Sequence, residues 1–83
     1  MNKILVKIFF PHIDMEYNVW IPNNKRIYDI IVLLYTGLNE LNNNIYQPEN
    51  IPILYNKATG NYYDINMLVK NTDITNGTEL ILI

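Results

Sequence analysis

The stretch VWIPNNKRIYDIIVLLYTGLNEL, residues 19–41, decides the fold, because it contains the end of a strand and the whole of a helix. Pro22 ends the strand, and Asn23 and Asn24 are residues that commonly cap a helix. After them apolar residues recur at spacings of three and four, which places them within about 100° on a helical wheel. The residues of this stripe are Ile27, Ile30, Ile31, Leu34, Leu38 and Leu41.

Gly37 lies within this helix, and Asn42, Asn43 and Asn44 follow it as a predicted stop. A glycine inside a helix costs about 1 kcal/mol relative to alanine. The sequence therefore predicts either that the helix frays at Gly37 or that another element packs closely against it.

The residues before the helix form a predicted antiparallel hairpin. From Lys3 to Phe9 apolar residues alternate with a wetter set that includes two lysines, which is the period of a strand. A turn containing Pro11 and Asp14 follows, and a second strand then alternates up to Ile21.

The residues after the helix contain shorter strand patterns. Two short strands are predicted around residues 53–55 and 61–63, joined by a turn at Gly60. The Asn76–Gly77 pair then favours a tight turn before a last strand, in which Leu80 and Leu82 alternate with Ile81 and its neighbours. Pro48 and Pro52 bound the irregular connection between the helix and these strands.

One helix with one apolar stripe must lie across one face of one sheet. The sequence therefore predicts an α+β protein with a single domain, residues 1–83, and a mixed sheet of four to five strands. The predicted inward set is Ile4, Val6, Ile8, Tyr17, Val19, Ile21, Ile27, Ile30, Ile31, Leu34, Leu38, Ile53, Leu80 and Leu82.

This order of elements resembles the β-grasp, or ubiquitin-like, fold. The segments YNVWIP, IIVLLYTGLNEL and DITNGTELILI are similar to the YukD/EsaB family of small ubiquitin-like proteins, which is associated with bacterial type VII (ESX-like) secretion. The likeness covers nearly the whole chain and is weakest over residues 45–63. It implies a non-enzymatic accessory or regulatory protein in the cytoplasm, with a membrane-bound secretion component as its protein partner and peripheral association with that machinery.

Few residues of the chain are of types that catalyse reactions or bind metals. The chain has no cysteine or serine, and His12 is its one histidine, in a predicted turn near Asp14 and Glu16. A metal site needs three or four well-placed ligands, so we expect a solvated histidine and no metal or cofactor. The carboxylates are scattered over several elements, and the segment ATGN lacks the lysine of a phosphate loop. We therefore expect no catalytic residue.

The charge and hydropathy of the chain restrict the classes of partner that it can bind. The six basic residues are dispersed over a chain of net charge −2, which gives no basic groove for nucleic acid. The longest apolar run, residues 30–35, falls far short of the 18 or so residues that cross a bilayer, and the first residues lack a signal-peptide pattern. We expect no direct membrane insertion.

The remaining candidate functional sites are surfaces that could bind another protein. On the sheet face turned away from the helix, exposed apolar residues with an aromatic anchor and a polar rim are typical of a protein-binding site. The predicted residues of that site are Leu5, Lys7, Trp20, Leu54 and Ile81, with Leu5, Ile81 and Leu54 expected to lie near one another. Val32 and Leu33 on the helix form a predicted second surface.

The sequence leaves two other functions open. Ubiquitin-like carriers and modifiers are activated at a carboxy-terminal glycine pair, whereas this sequence closes on Leu82 and Ile83, so we expect no conjugation unless a longer precursor exists. A self-associating module that pairs Leu5, Trp20 and Ile81 across a two-fold axis is the other alternative.

Overall fold

The computed structural model describes residues 2–41 and 51–83, with the side chain of Leu41 also outside the description. The predicted helix stop at residues 42–44 therefore lies outside the described residues, as does Pro48, one boundary of the predicted irregular connection. The elements are β1 (Lys3–Phe10), β2 (Met15–Pro22), α1 (Ile27–Leu41), β3 (Leu54–Asn56) and β4 (Glu79–Leu82). They form a sheet of order β2-β1-β4-β3.

The opening hairpin has the predicted antiparallel pairing, with every residue of β1 opposite a residue of β2. A short 3₁₀ turn, Pro11–Ile13, joins the two strands. Asp14 closes that turn with a φ of 52°, a left-handed conformation that aspartate tolerates better than most residues. The hairpin thereby sets which residues of both strands face the helix.

Strand β4 pairs parallel to β1 and antiparallel to β3, so the sheet is mixed as predicted. The Asn76–Gly77 turn aligns it: the Asn76 side chain accepts a hydrogen bond from the Leu5 amide, and the Gly77 amide donates to the Leu5 carbonyl, each at 2.8 Å. Gly77 has a φ of 89°, which glycine adopts without steric cost. The turn thus fixes β4 beside β1.

The core lies between this sheet and α1. The predicted inward residues of β1, β2, α1 and β4 are buried or packed against the buried cluster, so that part of the prediction is confirmed. Five further residues join the buried cluster without having been predicted, namely Phe10, Tyr35, Leu54, Val69 and Ile74.

The prediction for β3 is wrong by one residue. Leu54 is 1% exposed and pairs with Leu82, whereas Ile53 is 43% exposed. Side chains alternate across a strand, so a shift of one residue exchanges the two faces. Because Asn56 shares the inner face with Leu54 and is also buried, the apolar pattern of this three-residue strand did not reveal its register.

The chain between β3 and β4 is mostly irregular. The strand predicted at residues 61–63 is reduced to a single bridge between Tyr62 and Tyr55. A second 3₁₀ turn, Val69–Asn71, places the Val69 side chain fully in the core and hydrogen-bonds its amide to the Lys25 carbonyl at 2.9 Å. This segment therefore covers the start of α1.

The helix is continuous through Gly37 as far as Leu41. A Cβ atom placed at Gly37 would meet no heavy atom within 4 Å beyond the helix's own backbone and neighbours. Neither predicted reason for the glycine, fraying or close packing, applies. Its small size instead leaves a gap beside β2.

Candidate functional site

The outer face of the sheet, turned away from α1, carries an apolar pair on β1 and β2. Leu5 lies directly opposite Trp20 in the antiparallel register, and the Trp20 side chain is 61% exposed. Neighbouring side chains on one face of a strand pair lie about 5 Å apart at Cβ, so the indole lies beside the leucine. We call these two residues the Leu5–Trp20 pair.

A second apolar group crosses the other half of the same face. Phe9 on β1 lies beside Ile81 on β4, and Ile81 lies opposite Tyr55 on β3. The Tyr55 ring meets Tyr62 edge to face, with ring centroids 6.2 Å apart, and Tyr62 is 71% exposed. This second apolar group is a row of three aromatic residues and one isoleucine: Phe9, Ile81, Tyr55 and Tyr62.

Charged side chains separate the two apolar groups. The Lys7 ammonium on β1 lies 3.9 Å from the Glu79 carboxylate on β4 and 4.0 Å from the Glu16 carboxylate on β2. All three side chains are more than 40% exposed, so these ion pairs add little stability. Their arrangement instead gives the outer face a charged band between two apolar areas.

Two parts of the predicted binding site are wrong. Leu54 is buried in the core, because β3 presents Tyr55 rather than Leu54 to the outer face. Ile81 is not beside Leu5: the parallel register places Ile81 next to Phe9. Leu5 instead adjoins the turn at Gly77, four residues before Ile81, or about 13 Å along the strand.

Sequence reasoning left three outer-face residues out of the site. The alternation that places Leu5 and Lys7 on the outer face also indicates Phe9, which the predicted binding site omits, and the predicted register of β3 turns Tyr55 inward. Tyr62 lies outside any strand and reaches this face through its bridge to Tyr55. The alternation along β1 therefore could have identified Phe9 as an outer-face residue. No sequence pattern indicates that Tyr62 reaches this face.

On the helix, Val32 and Leu33 are both exposed, at 46% and 52%, as the helical wheel predicted. Leu33 lies beside β2 and lines a groove there, whereas Val32 does not line it. The predicted second surface therefore consists of two residues with different surroundings.

The fold of this chain also occurs in solved structures. A chain from a structure described as molecular mimicry of SUMO that promotes DNA repair superposes with a TM-score of 0.80 at 14% identity, covering 100% of this chain and 92% of that one. The EccD5 ubiquitin-like domain from Mycobacterium xenopi superposes at 0.76 with 18% identity, covering 99% and 93%. This chain has the ubiquitin-like fold.

A third match is a chain of the MycP5-free ESX-5 inner membrane complex, with a TM-score of 0.78 and 10% identity. The match covers 99% of this chain and 21% of that one, so this chain spans about a fifth of that protein. The likeness to ubiquitin-like proteins of type VII secretion that the sequence predicts is thus confirmed in structure. No protein-family model and no curated protein matches the sequence.

Within residues 2–41 and 51–83 of this ubiquitin-like chain, no three His, Cys, Asp or Glu side chains are grouped so that they could hold a metal ion. His12 is exposed in the 3₁₀ turn between β1 and β2. Over the same described residues, no helix has the length and apolar character needed to cross a membrane.

Among the titratable groups of residues 2–41 and 51–83, Tyr63 has a clearly shifted pKa. Burial and, next in size, the hydrogen bond to Asp73 together raise the pKa of Tyr63 to about 12, although the bond from Asn56 lowers it in part. The Tyr63 hydroxyl donates to Asp73 Oδ1 at 2.5 Å and accepts from Asn56 Nδ2 at 3.1 Å. These bonds tie the residues after β3 to the segment before β4, and the group is structural.

Replacing Tyr63 with phenylalanine is expected to lower the free energy of unfolding by about 1 kcal/mol at neutral pH. Because the folded pKa lies above the ordinary value of 10.0, the hydroxyl stabilises the fold below pH 10 and loses this contribution as the pH rises towards 12. Urea unfolding of both proteins from pH 7 to 11 measures the difference. A difference that stays constant up to pH 11 would contradict this assignment.

Proposed function

We propose that this chain is a non-enzymatic ubiquitin-like interaction module, which acts as an accessory or regulatory cytoplasmic component of a type VII secretion system. It binds a membrane-bound component of that system through its outer sheet face and associates peripherally with the membrane machinery. The observation that carries the proposal is the Leu5–Trp20 pair, with its exposed indole, beside the charged band.

The composition of the outer face supports a protein partner. Tryptophan and tyrosine are enriched at binding hot spots because each buries a large area while ordering few torsions. Here Trp20 and Tyr62 are 61% and 71% exposed on one face, with Lys7 and two carboxylates between them. The charges can set the orientation of a partner, while the aromatic side chains supply the affinity.

The comparisons support the choice of pathway. Among the matched structures, one is the ubiquitin-like domain of EccD5 and another is a chain of the ESX-5 inner membrane complex. In the second, a domain of this size and fold is part of a larger chain in a membrane assembly. This chain has the same fold, and we therefore propose a membrane assembly of that kind as its partner.

The proposal of a non-enzymatic role is based on the arrangement of the side chains. Among the described residues, the outer face presents mainly aromatic and aliphatic side chains, with Lys7 and its two paired glutamates at its centre. Acid–base chemistry instead needs a group with a pKa tuned near the working pH. The perturbed group, Tyr63, is shifted away from that range.

Replacing Trp20 with alanine is expected to weaken partner binding at least about 30-fold, because a central aromatic anchor contributes about 2 kcal/mol or more. The partner is identified first, by incorporating a photo-crosslinking amino acid at Asn18 on the same face in the native cell. Titration calorimetry with the cytoplasmic part of the captured membrane protein then gives the affinities of both forms.

Tyr28→Ala is the matched control, since Tyr28 is an exposed aromatic residue on α1, away from the outer face. It should bind as the unmodified chain does. Unchanged affinity of Trp20→Ala would remove the outer face from the proposal. Crosslinks from Asn18 only to a second copy of the chain, with concentration-dependent light scattering, would favour the self-associating alternative.

A further inference from the structure

The turn before β4 contains an asparagine that can react with its own backbone. Of the fourteen asparagines in the chain, Asn76 is the one that a glycine follows. The side-chain amide of asparagine is open to attack by the backbone nitrogen of the next residue, and glycine leaves that nitrogen unhindered because it has no Cβ. Asn76 and Gly77 are both exposed, so water reaches them.

The reaction is a hydrolysis in two steps. The Gly77 nitrogen loses its proton to water or hydroxide and bonds to Asn76 Cγ, while the Cγ–Nδ2 bond breaks and ammonia leaves with a proton from the solvent. Water then opens the resulting five-membered imide. Opening at the side-chain carbonyl gives aspartate, whereas opening at the main-chain carbonyl gives isoaspartate, whose main chain runs through Cγ and contains an additional methylene.

In the folded chain the backbone of Leu5 holds both reacting groups. The Leu5 amide donates to Asn76 Oδ1, and the Gly77 amide donates to the Leu5 carbonyl, each at 2.8 Å. The first bond fixes the side-chain amide beside β1, and the second holds the proton that the Gly77 nitrogen has to lose. A backbone amide bonded in this way loses its proton only when its segment opens, which is why such amides exchange slowly.

The geometry of the turn separates the same two groups. The Thr75 carbonyl accepts a hydrogen bond from the Thr78 amide at 3.1 Å, and Gly77 has a φ of 89° whereas Asn76 has a negative φ. These are the features of a type II turn, in which the second residue has a ψ of about 120°. At that angle the Gly77 nitrogen points away from the Asn76 side chain. The imide ring therefore cannot close until the turn rotates.

The turn can open while the core stays folded. Thr75, Asn76 and Gly77 are exposed, whereas Ile74 and Leu80 on either side are buried. Opening of the turn breaks a few exposed backbone bonds and exposes no core side chain, so it costs less free energy than unfolding of the chain.

We infer that Asn76–Gly77 is a deamidation site that the fold protects, and that it reacts with water by local release of the turn from Leu5. The aspartate product keeps a side-chain oxygen for the Leu5 amide. The isoaspartate product lengthens the main chain within the turn, so the turn no longer holds β4 in register, and Glu79 and Ile81 lose their places on the outer face. None of these steps involves a partner, so the site is independent of what the outer face binds.

The first test compares the full chain at neutral pH without urea and in enough urea to unfold it. Peptide mapping by mass spectrometry follows every asparagine. In urea we expect Asn76 to react ahead of the other asparagines, and without urea at least about tenfold more slowly than in urea, because the turn must open first. Equal rates in the two buffers, or earlier reaction of another asparagine in urea, would overturn the inference.

The second test removes one of the two bonds to the turn. At 83 residues the chain is accessible to total chemical synthesis, and an ester in place of the Ile4–Leu5 amide removes the Leu5 N–H while keeping every side chain. We expect Asn76 to react about fivefold faster in this folded chain, since the loss of one hydrogen bond changes an opening equilibrium by about that factor. The Gly77 amide should exchange faster by the same factor.

The matched control has the same ester in place of the Lys3–Ile4 amide. Leu5 donates towards the turn before β4, and amides alternate between the two sides of a strand, so Ile4 donates towards β2, where it lies opposite Ile21. This ester weakens the sheet but leaves both bonds to the turn intact. Urea unfolding gives the stability change for which each rate is corrected. Equal acceleration by the two esters would show that Asn76 reacts through unfolding of the whole chain, and would overturn the inference.

The third test concerns the two products. Asn76→Asp reproduces one of them, and the isoaspartyl chain is made in urea, purified by chromatography and returned to buffer. Asn76→Asp should keep slow exchange of the Leu5 amide and a urea midpoint close to that of the unmodified chain, whereas the isoaspartyl chain should lose both. Identical urea midpoints for the two products would overturn the effect on β4. Fast exchange of the Leu5 amide in Asn76→Asp would overturn the role of the side-chain oxygen.

Discussion

Replacing Leu54 with alanine is expected to lower the free energy of unfolding by about 2–5 kcal/mol. The side chain is 1% exposed, and its strand pairs with β4 at Leu82, another buried leucine. Truncation leaves a cavity between β3 and the helix layer, and the backbone cannot collapse into it because β3 is hydrogen-bonded to β4. Urea or guanidinium unfolding at neutral pH measures the loss.

Ile53→Ala is the matched control for this prediction. Ile53 precedes Leu54 and is 43% exposed, so its truncation should cost much less, about 1 kcal/mol or below. The backbone bonds of Ile53 to Ile83, at 2.7 and 3.0 Å, remain in the variant. If Ile53→Ala were the more destabilising change, the register of β3 would be the one that the sequence pattern suggested, and Leu54 would return to the outer face.

Replacing Asn56 with alanine is the second change expected to have a large effect, about 2–3 kcal/mol of unfolding free energy. Asn56 is 8% exposed. Its Oδ1 accepts hydrogen bonds from the amides of Ala58 and Thr59, at 2.9 and 3.2 Å, and its Nδ2 donates to the Tyr63 hydroxyl. Alanine removes all three bonds and leaves the tyrosine with one partner fewer.

Thermal and urea unfolding of Asn56→Ala should be compared with Asn61→Ala, a change at an exposed asparagine of the same turn. The second variant should remain within about 0.5 kcal/mol of the unmodified chain. Equal losses in both would mean that the side-chain bonds of Asn56 are replaced by water at no cost. An Asn56→Ala, Tyr63→Phe double variant then measures their coupling, which should be nonzero because the two side chains are in contact.

The sequence predicted the long elements well because they carry long periodic patterns. The eight residues of β1 and the fifteen of α1 each repeat their period several times, so the sequence identified most of their buried residues and missed Phe10 and Tyr35. The three residues of β3 allow no such repetition. With a buried asparagine at its end, that strand offered apolar residues on both faces and no way to choose between them.

The sequence predicted only the part of the candidate site that depends on local sequence patterns. The Leu5–Trp20 pair follows from the hairpin alone, because one tight turn fixes the register of both strands. The neighbours of Ile81 depend on how a strand from the end of the chain aligns with β1, and that alignment is set by the Asn76 and Gly77 bonds to Leu5. Sequence periodicity assigns a residue to a face but gives no position along a distant partner.

The sequence by itself determined the α+β class, the helix stripe, the hairpin and the likeness to ubiquitin-like proteins, because these follow from local periodicity and turn chemistry. Only the tertiary structure decided that Leu54 is core and Tyr55 is surface, that Ile81 lies beside Phe9, and that Gly37 opens a groove next to β2. Each of these depends on contacts between segments far apart in the chain. Their register is selected by the packing of the whole core and not by any one segment.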